Sequence, residues 1–260
     1  MASANRFNTY KLLSQFAAPM QRELVKTMIE FDKTAIIITA RMTGANLPGL
    51  PMMDVAGQPL VVRAANNAEK AGLGTVIVAT PDYQVAEAMR KWHRDVLVCP
   101  ARMDSLSAMA ASVLALRDDP KNFSHVMVLP CTLAEIDVLS LRRCLAGLEN
   151  EKVDGATLAA PANTETIWRV DAPLEGEREV AWLRGITQEG QAHAHIPVYA
   201  WHRASLEKFA SASHGPVAHE LGYALQVGLR IVAVKVDTAP LNVDTPQNLE
   251  ALRRMMKAEK

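Results

Sequence analysis

Apolar residues in the first half of the chain follow two patterns that alternate. Ala35–Thr39, Thr75–Ala79, Val96–Cys99 and Val126–Leu129 are short runs of aliphatic and β-branched residues, which read as strands buried on both faces. Between them, Leu60–Lys70, Tyr83–Trp92, Ser107–Leu116 and Val138–Leu148 carry the apolar spacing of helices with one buried face. Stop signals agree, with Ala71-Gly72 after the first helix and Asp118-Asp119-Pro120 after the third. Strand and helix alternating at roughly 20–30 residues predict an α/β domain around a mainly parallel sheet.

The second half changes character. Gly155–Ala160, Thr166–Val170, Val180–Trp182 and Ile196–Trp201 read as strands with no long helix between them, which predicts an antiparallel portion. Pro161–Glu165 is a polar turn, and Asp171–Glu179, rich in Asp, Glu, Pro and Gly, is a loop or the tip of an exposed hairpin. Helices return at Arg203–Ser211, Val217–Val227 and Thr245–Met256, with a strand at Arg230–Val236. Ahead of all this, Tyr10–Phe31 places Leu12, Leu13, Phe16, Met20, Leu24, Val25 and Met28 near helical spacing, kinked at Pro19. The expected organisation is a helical extension over residues 1–33 and one domain over 34–260.

Composition narrows the function classes. Lys and Arg number 28 and Asp and Glu number 28, so the net charge is zero across 260 residues. That balance argues against nucleic-acid binding by a bulk positive field and against a polybasic membrane surface. Runs such as Thr34–Ala40 and Val126–Ala134 fall far short of the ~20 residues of a membrane span. Cys99, Cys131 and Cys144 show no CxxC spacing, so neither a disulfide framework nor a zinc site is indicated. Charged residues interrupt the N-terminus, which does not read as a secretory signal. A soluble, reduced, cytoplasmic protein is expected.

Ligands of open parallel sheets bind at the carboxyl ends of the strands. That directs attention to loops 39–58, 80–83, 99–106 and 130–135. The first runs Ala40-Arg41-Met42-Thr43-Gly44-Ala45-Asn46-Leu47-Pro48-Gly49-Leu50-Pro51 and enters a helix through Pro59-Leu60. Glycines that let backbone N–H groups approach, with an arginine beside them, suit a phosphate. A long ordered loop without a ligand reads the same residues equally well.

These segments carry a resemblance. Ile37–Val62, continuing through Ala71-Gly72 and Val76–Thr80, resembles the opening of the CMP-Kdo synthetases (3-deoxy-manno-octulosonate cytidylyltransferases): I-I-P-A-R-x-x-S-x-R-L-P-G-K-P-L, then D-I-x-G-K-P-M-I, a helix ending A-G and a strand ending V-A-T-D. His195-Ile196-Pro197-Val198-Tyr199-Ala200-Trp201 resembles the family's H-x-G-I-Y-x-Y strand. Phe209 falls on a family aromatic, and Glu220 on the first Glu of its L-E-Q-L-R helix. Val243-Asp244-Thr245-Pro246-Gln247-Asn248-Leu249-Glu250 matches V-D-T-P-x-D-L-E. The likeness spans roughly residues 34–256.

The resemblance implies a three-layer, Rossmann-like (glycosyltransferase-A-like) nucleotidyltransferase fold. Its sheet is mixed and mainly parallel, with a small antiparallel subregion. It implies attack of a sugar-acid hydroxyl on the α-phosphate of CTP with release of pyrophosphate, aided by Mg²⁺ and cationic side chains. Carried over residue by residue, Arg41 is the catalytic phosphate arginine. Ala40, Arg41, Gly49, Thr80 and Cys131 line the nucleotide, His195, Tyr199 and Glu220 the sugar acid such as Kdo, and Asp244 binds Mg²⁺. The family also implies a homodimer formed through the second half.

The chemistry departs from this pattern at charged positions. The family's second arginine is Asn46 here and its lysine is Leu50. The strand-end Q-G-D-E-P becomes Pro130-Cys131-Thr132-Leu133-Ala134, with Thr132 on the metal-binding aspartate. H-x-S-G-T-E-R becomes Met103-Asp104-Ser105-Leu106-Ser107-Ala108-Met109. A neutral hydroxyl is a poor substitute for a carboxylate toward Mg²⁺, and leucine cannot hold phosphate. Glu135 or Asp104 could supply a replacement ligand. The apolar framework persists while the site's charges are lost. That implies a cytidylyltransferase relative with impaired or lost catalysis, alternatively a non-catalytic nucleotide- or sugar-binding homologue, or a structural homodimer with no nucleotide ligand.

Several residues carry two readings. Asp244 is a metal ligand by resemblance or the N-cap of the last helix. His193 and His195 share a face of a strand, as zinc ligands can, or are ordinary hydrogen-bonded histidines. Cys131 lines the pocket or is a nucleophile in want of a base. Arg253-Arg254-Lys257 reads as a solvated helix end.

Overall fold

Alternation along β1 (Thr34–Thr39) sends Ile36 and Ile38 to one face of the sheet and Ala35 and Ile37 to the other, all fully buried. Such a strand needs cover on both sides, and the computed structural model supplies it as three layers. It describes residues 33–43, 47–92, 96–98, 116, 123–149, 152–163, 166–176, 179–190, 192–212 and 219–258. The expected extension over 1–33 lies outside these residues except for Lys33, as does the helix at 107–116 except for Leu116.

After β1 come the short hairpin strands β2 (Asp54–Val55) and β3 (Gln58–Pro59) and helix α1 (Leu60–Lys70). Then follow β4 (Thr75–Thr80), α2 (Tyr83–Lys91), β5 (Val96–Val98), β6 (His125–Pro130) and α3 (Val138–Ala146). The second half contains β7 (Gly155–Pro161), β8 (Arg169–Asp171), β9 (Val180–Trp182), β10 (Gly185–Thr187) and β11 (His193–His202). It closes with α4 (Arg203–Ser211), α5 (Glu220–Gln226), β12 (Ile231–Lys235) and α6 (Pro246–Ala258).

Among the described residues the main sheet has ten strands, with β5-β4-β1-β6-β11-β7-β12-β9 along its path and β8 and β10 branching from β11. β1 pairs parallel with β4 and β6, and β12 with β7, whereas β11 runs antiparallel between β6 and β7. This is the mixed, mainly parallel sheet expected. The antiparallel strand β11 threads the centre of the sheet, and it is longer than the predicted 196–201. Strand β8 is shorter than predicted, and β10 and the β2–β3 hairpin were not predicted, since two- and three-residue strands leave no readable period.

One face packs Ile36, Val78, Met127, Leu158 and Val234 under α1, α3 and α6. The other packs Ile37, Val128 and Trp201 under Phe209 of α4 and Leu221 of α5. Each fully buried aliphatic contributes roughly 1.5–3 kcal/mol. Met127 fills this core, and Met52 and Met53 pack against it, as their adaptable chains suit. Helix ends are closed by specific bonds: Asp137 accepts the Ser140 N–H at 2.7 Å, and Arg142 donates twice to the Ala71 carbonyl at 3.0 and 3.2 Å. No helix of the described residues is long and apolar enough to cross a membrane.

The β2–β3 turn holds Ala56 at φ 56° and Gly57 at φ 89°, the paired left-handed geometry of a two-residue hairpin. Arg253 clamps it, donating to the Asp54 carbonyl at 2.8 and 3.0 Å, so this arginine is a structural strut rather than part of a solvated helix end. Alanine in that conformation is strained by about 1 kcal/mol. Ala56→Gly is accordingly expected to raise stability by up to about 1 kcal/mol, read as a higher urea midpoint with an unchanged slope.

Candidate functional site

Register brings the predicted nucleotide residues to one edge of the sheet. Thr39 pairs with Ala79 and with Pro130, so the chain leaves β1, β4 and β6 at the same level and in the same direction. Ala40 continues β1 by donating to the Ala79 carbonyl at 3.1 Å, and Arg41 follows at the exit. Met42 is held on both sides: its N–H donates to Asp82 Oδ2 at 2.7 Å and its carbonyl accepts from Gly49 N–H at 2.8 Å. Gly49 sits at φ 81°, which turns the loop into the 3-10 turn Leu50–Met52. Thr80, wholly buried, accepts the Asp82 N–H at 3.1 Å. Asp82 thus staples the Arg41 loop to the end of β4. The sequence reading passed over it, although it follows the V-A-T strand end.

The remaining nucleotide-side residues are less exposed than the resemblance implies. Leu50, at the family's lysine position, is buried and joins the hydrophobic core. Ala40 and Cys131 do the same, so what they can offer a ligand is backbone. Burial pushes the Cys131 thiol up to about 12, which favours the unionised thiol and speaks against the nucleophile reading. Asn46, Met103–Met109 and Asp104 lie outside the described residues.

Beyond β6, Cys131–Leu133 forms a second 3-10 turn, and the Thr132 carbonyl accepts the Val243 N–H at 2.9 Å. This bond pairs the residue before Asp244 with the second residue beyond the end of β6. The structure does not bear out the cap reading of Asp244. The capping side chain of α6 is Thr245, whose Oγ1 accepts the Asn248 N–H at 3.2 Å, with Pro246 at the first helical position. Among the described residues the Asp244 side chain accepts only a long bond, from Asn242 at 3.4 Å. Glu135 pairs with Arg63 at 3.3 Å. Among the described residues no group of three or more His, Cys, Asp or Glu side chains is arranged to hold a metal.

On the sugar side, β11 pairs Tyr199 with Val128, so its earlier residues extend past the carboxyl end of β6. His195 therefore stands on the same sheet edge as Thr132. Between Ile196 and Tyr199 the register against β7 shifts, leaving Pro197 and Val198 as a bulge. Thr157 Oγ1 lies 3.3 Å from the Ile196 carbonyl and 3.0 Å from that of Val198, and it ties the bulge down. Here the structure brings together the three residues expected from sequence, His195, Tyr199 and Glu220, and adds three that sequence reading missed: Thr157, Trp168 and His219. The His195 ring stacks on Tyr199 with centroids 5.7 Å apart and meets His219 edge-on at 4.9 Å. Trp168 meets His219 edge-on at 4.7 Å.

Burial disfavours charge throughout this cluster. Desolvation, with the neighbouring His219, lowers His195 to about 3, and desolvation lowers His219 to about 4. Burial and the Glu220 carboxylate raise the Tyr199 hydroxyl well above its ordinary value. Both imidazoles are neutral at pH 7. His193, by contrast, lies near Lys235 and shares no metal group with His195.

Residues 40–230 match the MobA-like NTP transferase domain family. The 3-deoxy-manno-octulosonate cytidylyltransferase of Rhizobium johnstonii is 34% identical over 245 residues, covering 88% of this chain and 97% of that protein. That of Rhizobium etli is 33% identical over 242 residues, covering 87% and 96%. Among solved structures, CMP:2-keto-3-deoxy-manno-octonic acid synthetase complexed with CTP superimposes with a TM-score of 0.76 at 22% identity, over 88% of this chain and 100% of that one. The 4-diphosphocytidyl-2C-methyl-D-erythritol synthase of Anaerococcus prevotii gives 0.60 at 11% identity, over 87% and 99%. These two likenesses bear on the fold.

Proposed function

The chain belongs to the 3-deoxy-manno-octulosonate cytidylyltransferase family, and from that premise we propose that it binds CTP and an acidic sugar such as Kdo, with nucleotidyl transfer impaired or lost. Arg41 would hold a phosphate by charge-assisted hydrogen bonds, from a loop that Asp82 keeps in place. His195, Tyr199 and Glu220 would take the sugar on the same edge. The observation that carries the impairment is the bond between Val243 N–H and the Thr132 carbonyl. It sets Asp244 beside Thr132, so a place where the family's pattern has two carboxylates holds one.

Such a donor set fits a Mg²⁺ that arrives with the nucleotide's phosphates and finds Asp244 as its protein carboxylate, with Thr132 as a neutral neighbour. When bound, the ion would neutralise phosphate charge. The protein's own contribution would be to orient: Arg41 would hold the phosphates, and the rings on β11 would line the sugar.

Calorimetric titration of CTP with and without Mg²⁺, followed by an assay of pyrophosphate release with Kdo, tests this. CTP binding with little or no turnover is the expected result, and absence of CTP binding in both conditions overturns the reading. Thr132→Asp is expected to strengthen Mg²⁺-dependent CTP binding by about tenfold, a gain of ~1.4 kcal/mol from restoring the second carboxylate. Equal affinity in wild type and variant would remove the one-carboxylate explanation. The reading also takes the protein to be a cytoplasmic homodimer. Exposed Val180 and Trp182 on the edge strand β9 support self-association, which sedimentation velocity measures.

A further inference from the structure

Hydrogen-bond bookkeeping around the two facing histidines assigns their protons. Thr157 Oγ1 has a single proton, and the shorter of its two carbonyl contacts, Val198 at 3.0 Å against Ile196 at 3.3 Å, takes it. With the proton so placed, the contact with His195 Nε2 at 3.2 Å runs the other way, with Nε2–H donating to Oγ1. His195 Nδ1 is left as a bare acceptor. In His219 the roles are reversed: Nδ1 accepts the Leu221 N–H at 3.1 Å, so the proton sits on Nε2, which is left as a donor. Among the described residues neither His195 Nδ1 nor His219 Nε2 has a hydrogen-bond partner. Both residues are half-buried, with their rings nearly perpendicular and centroids 4.9 Å apart.

One acceptor beside one donor, both uncharged, matches a hydroxyl group, which gives one hydrogen bond and takes another. A carboxylate meets one donor and one repelling lone pair in the same place. Trp168 and Tyr199, packed against the two rings, add aromatic walls of the kind that cover the C–H faces of a sugar. His219 occupies the leucine position of the L-E-Q-L-R pattern, so this half of the pair is a feature of this chain rather than of the pattern.

We propose that His219 is a specificity-determining residue that, together with His195, reads a hydroxyl of the sugar substrate and leaves its carboxylate to be held elsewhere. The inference rests on the functional reading above and adds to it which group of the sugar is read, and by what. A site built to pair both partners of a hydroxyl discriminates strongly against ligands lacking it.

The test is calorimetric titration of Kdo into the full chain saturated with CTP, in wild type and in two variants. His219→Ser keeps a side-chain oxygen for the Leu221 N–H and deletes the distal donor. His195→Gln keeps an amide donor for Thr157 and deletes the Nδ1 acceptor. Each is expected to weaken Kdo binding about tenfold while CTP affinity and melting temperature at pH 7 stay within error. Unchanged Kdo affinity in His219→Ser overturns the proposal. Wild type that binds CTP but no Kdo at millimolar concentration also overturns it, and leaves the nucleotide half of the functional reading standing. Wild type that binds neither overturns both.

Discussion

Acidification from pH 7 to pH 5 is expected to lower the melting temperature of the wild-type protein by roughly 6–12 °C more than that of a His195→Gln/His219→Ser variant. The cause is a pair of bases whose folded pKa values, about 3 for His195 and about 4 for His219, lie below the ordinary 6.5. Between those values and 6.5 the unfolded chain binds more protons than the folded one, so stability falls as pH falls. The contribution is complete above pH 6.5 and is lost progressively toward pH 4 and below. At pH 5 the linkage amounts to about 2 kcal/mol for His195 and, after discounting for the more solvated His219, about 1 kcal/mol more. Protonation of His219 would also remove the lone pair that accepts the Leu221 N–H, which loosens the start of α5. Differential scanning calorimetry of both proteins across pH 5–8 measures the difference. Parallel melting curves at every pH would show that these imidazoles titrate normally and are not buried together.

Gly155→Ala is expected to cost about 3 kcal/mol, the upper end of what overpacking a core usually costs, because the added methyl has nowhere to go. A Cβ at Gly155 would lie 2.4 Å from two ring carbons of Trp201, which pairs with Gly155 directly across the β7–β11 ladder. The indole is fully buried, its Nε1 has no hydrogen-bond partner among the described residues, and it packs tilted toward Phe209 at 6.3 Å. It can neither swing outward nor sink deeper without displacing the layer of α4. Trp201→Phe shortens the ring that meets the new methyl. The double variant is therefore expected to recover at least ~1 kcal/mol relative to the sum of the single changes, the positive coupling of residues in contact. Urea unfolding of the four proteins gives the cycle. A Gly155→Ala variant within ~0.5 kcal/mol of wild type would mean that β7 and β11 separate more easily than this packing allows.

The two predictions bear on the strand that was hardest to read from sequence. β11 was legible as a strand because Ile196–Trp201 is apolar and β-branched, and its resemblance to a family strand pointed to His195 and Tyr199. Its place in the sheet was not legible, because an inner antiparallel strand and an edge strand have the same local composition. Thr157, Trp168 and His219 were missed for a related reason. They lie 38, 27 and 24 residues from His195 in the chain, and no spacing rule links residues that meet only through sheet register and a bulge. Asp82 lay inside the predicted loop 80–83 and was still unreadable as a staple, since its partner, the Met42 N–H, is 40 positions away.

Sequence by itself determined the alternation of the longer strands and helices, the doubly buried character of β1, β4 and β6, and the family. Each of these is written in local periodicity or in motifs contiguous along the chain. It also determined that lysine and aspartate positions of the phosphate site hold Leu50 and Thr132. Only the tertiary structure decided that Leu50 belongs to the core, that Thr245 rather than Asp244 caps α6, and that two histidines face each other with complementary protons. Those are properties of who is paired with whom, and pairing is set by the packing of segments distant in sequence: a residue's type limits the bonds it can make, but which bond it does make depends on the partner the fold brings within 3 Å.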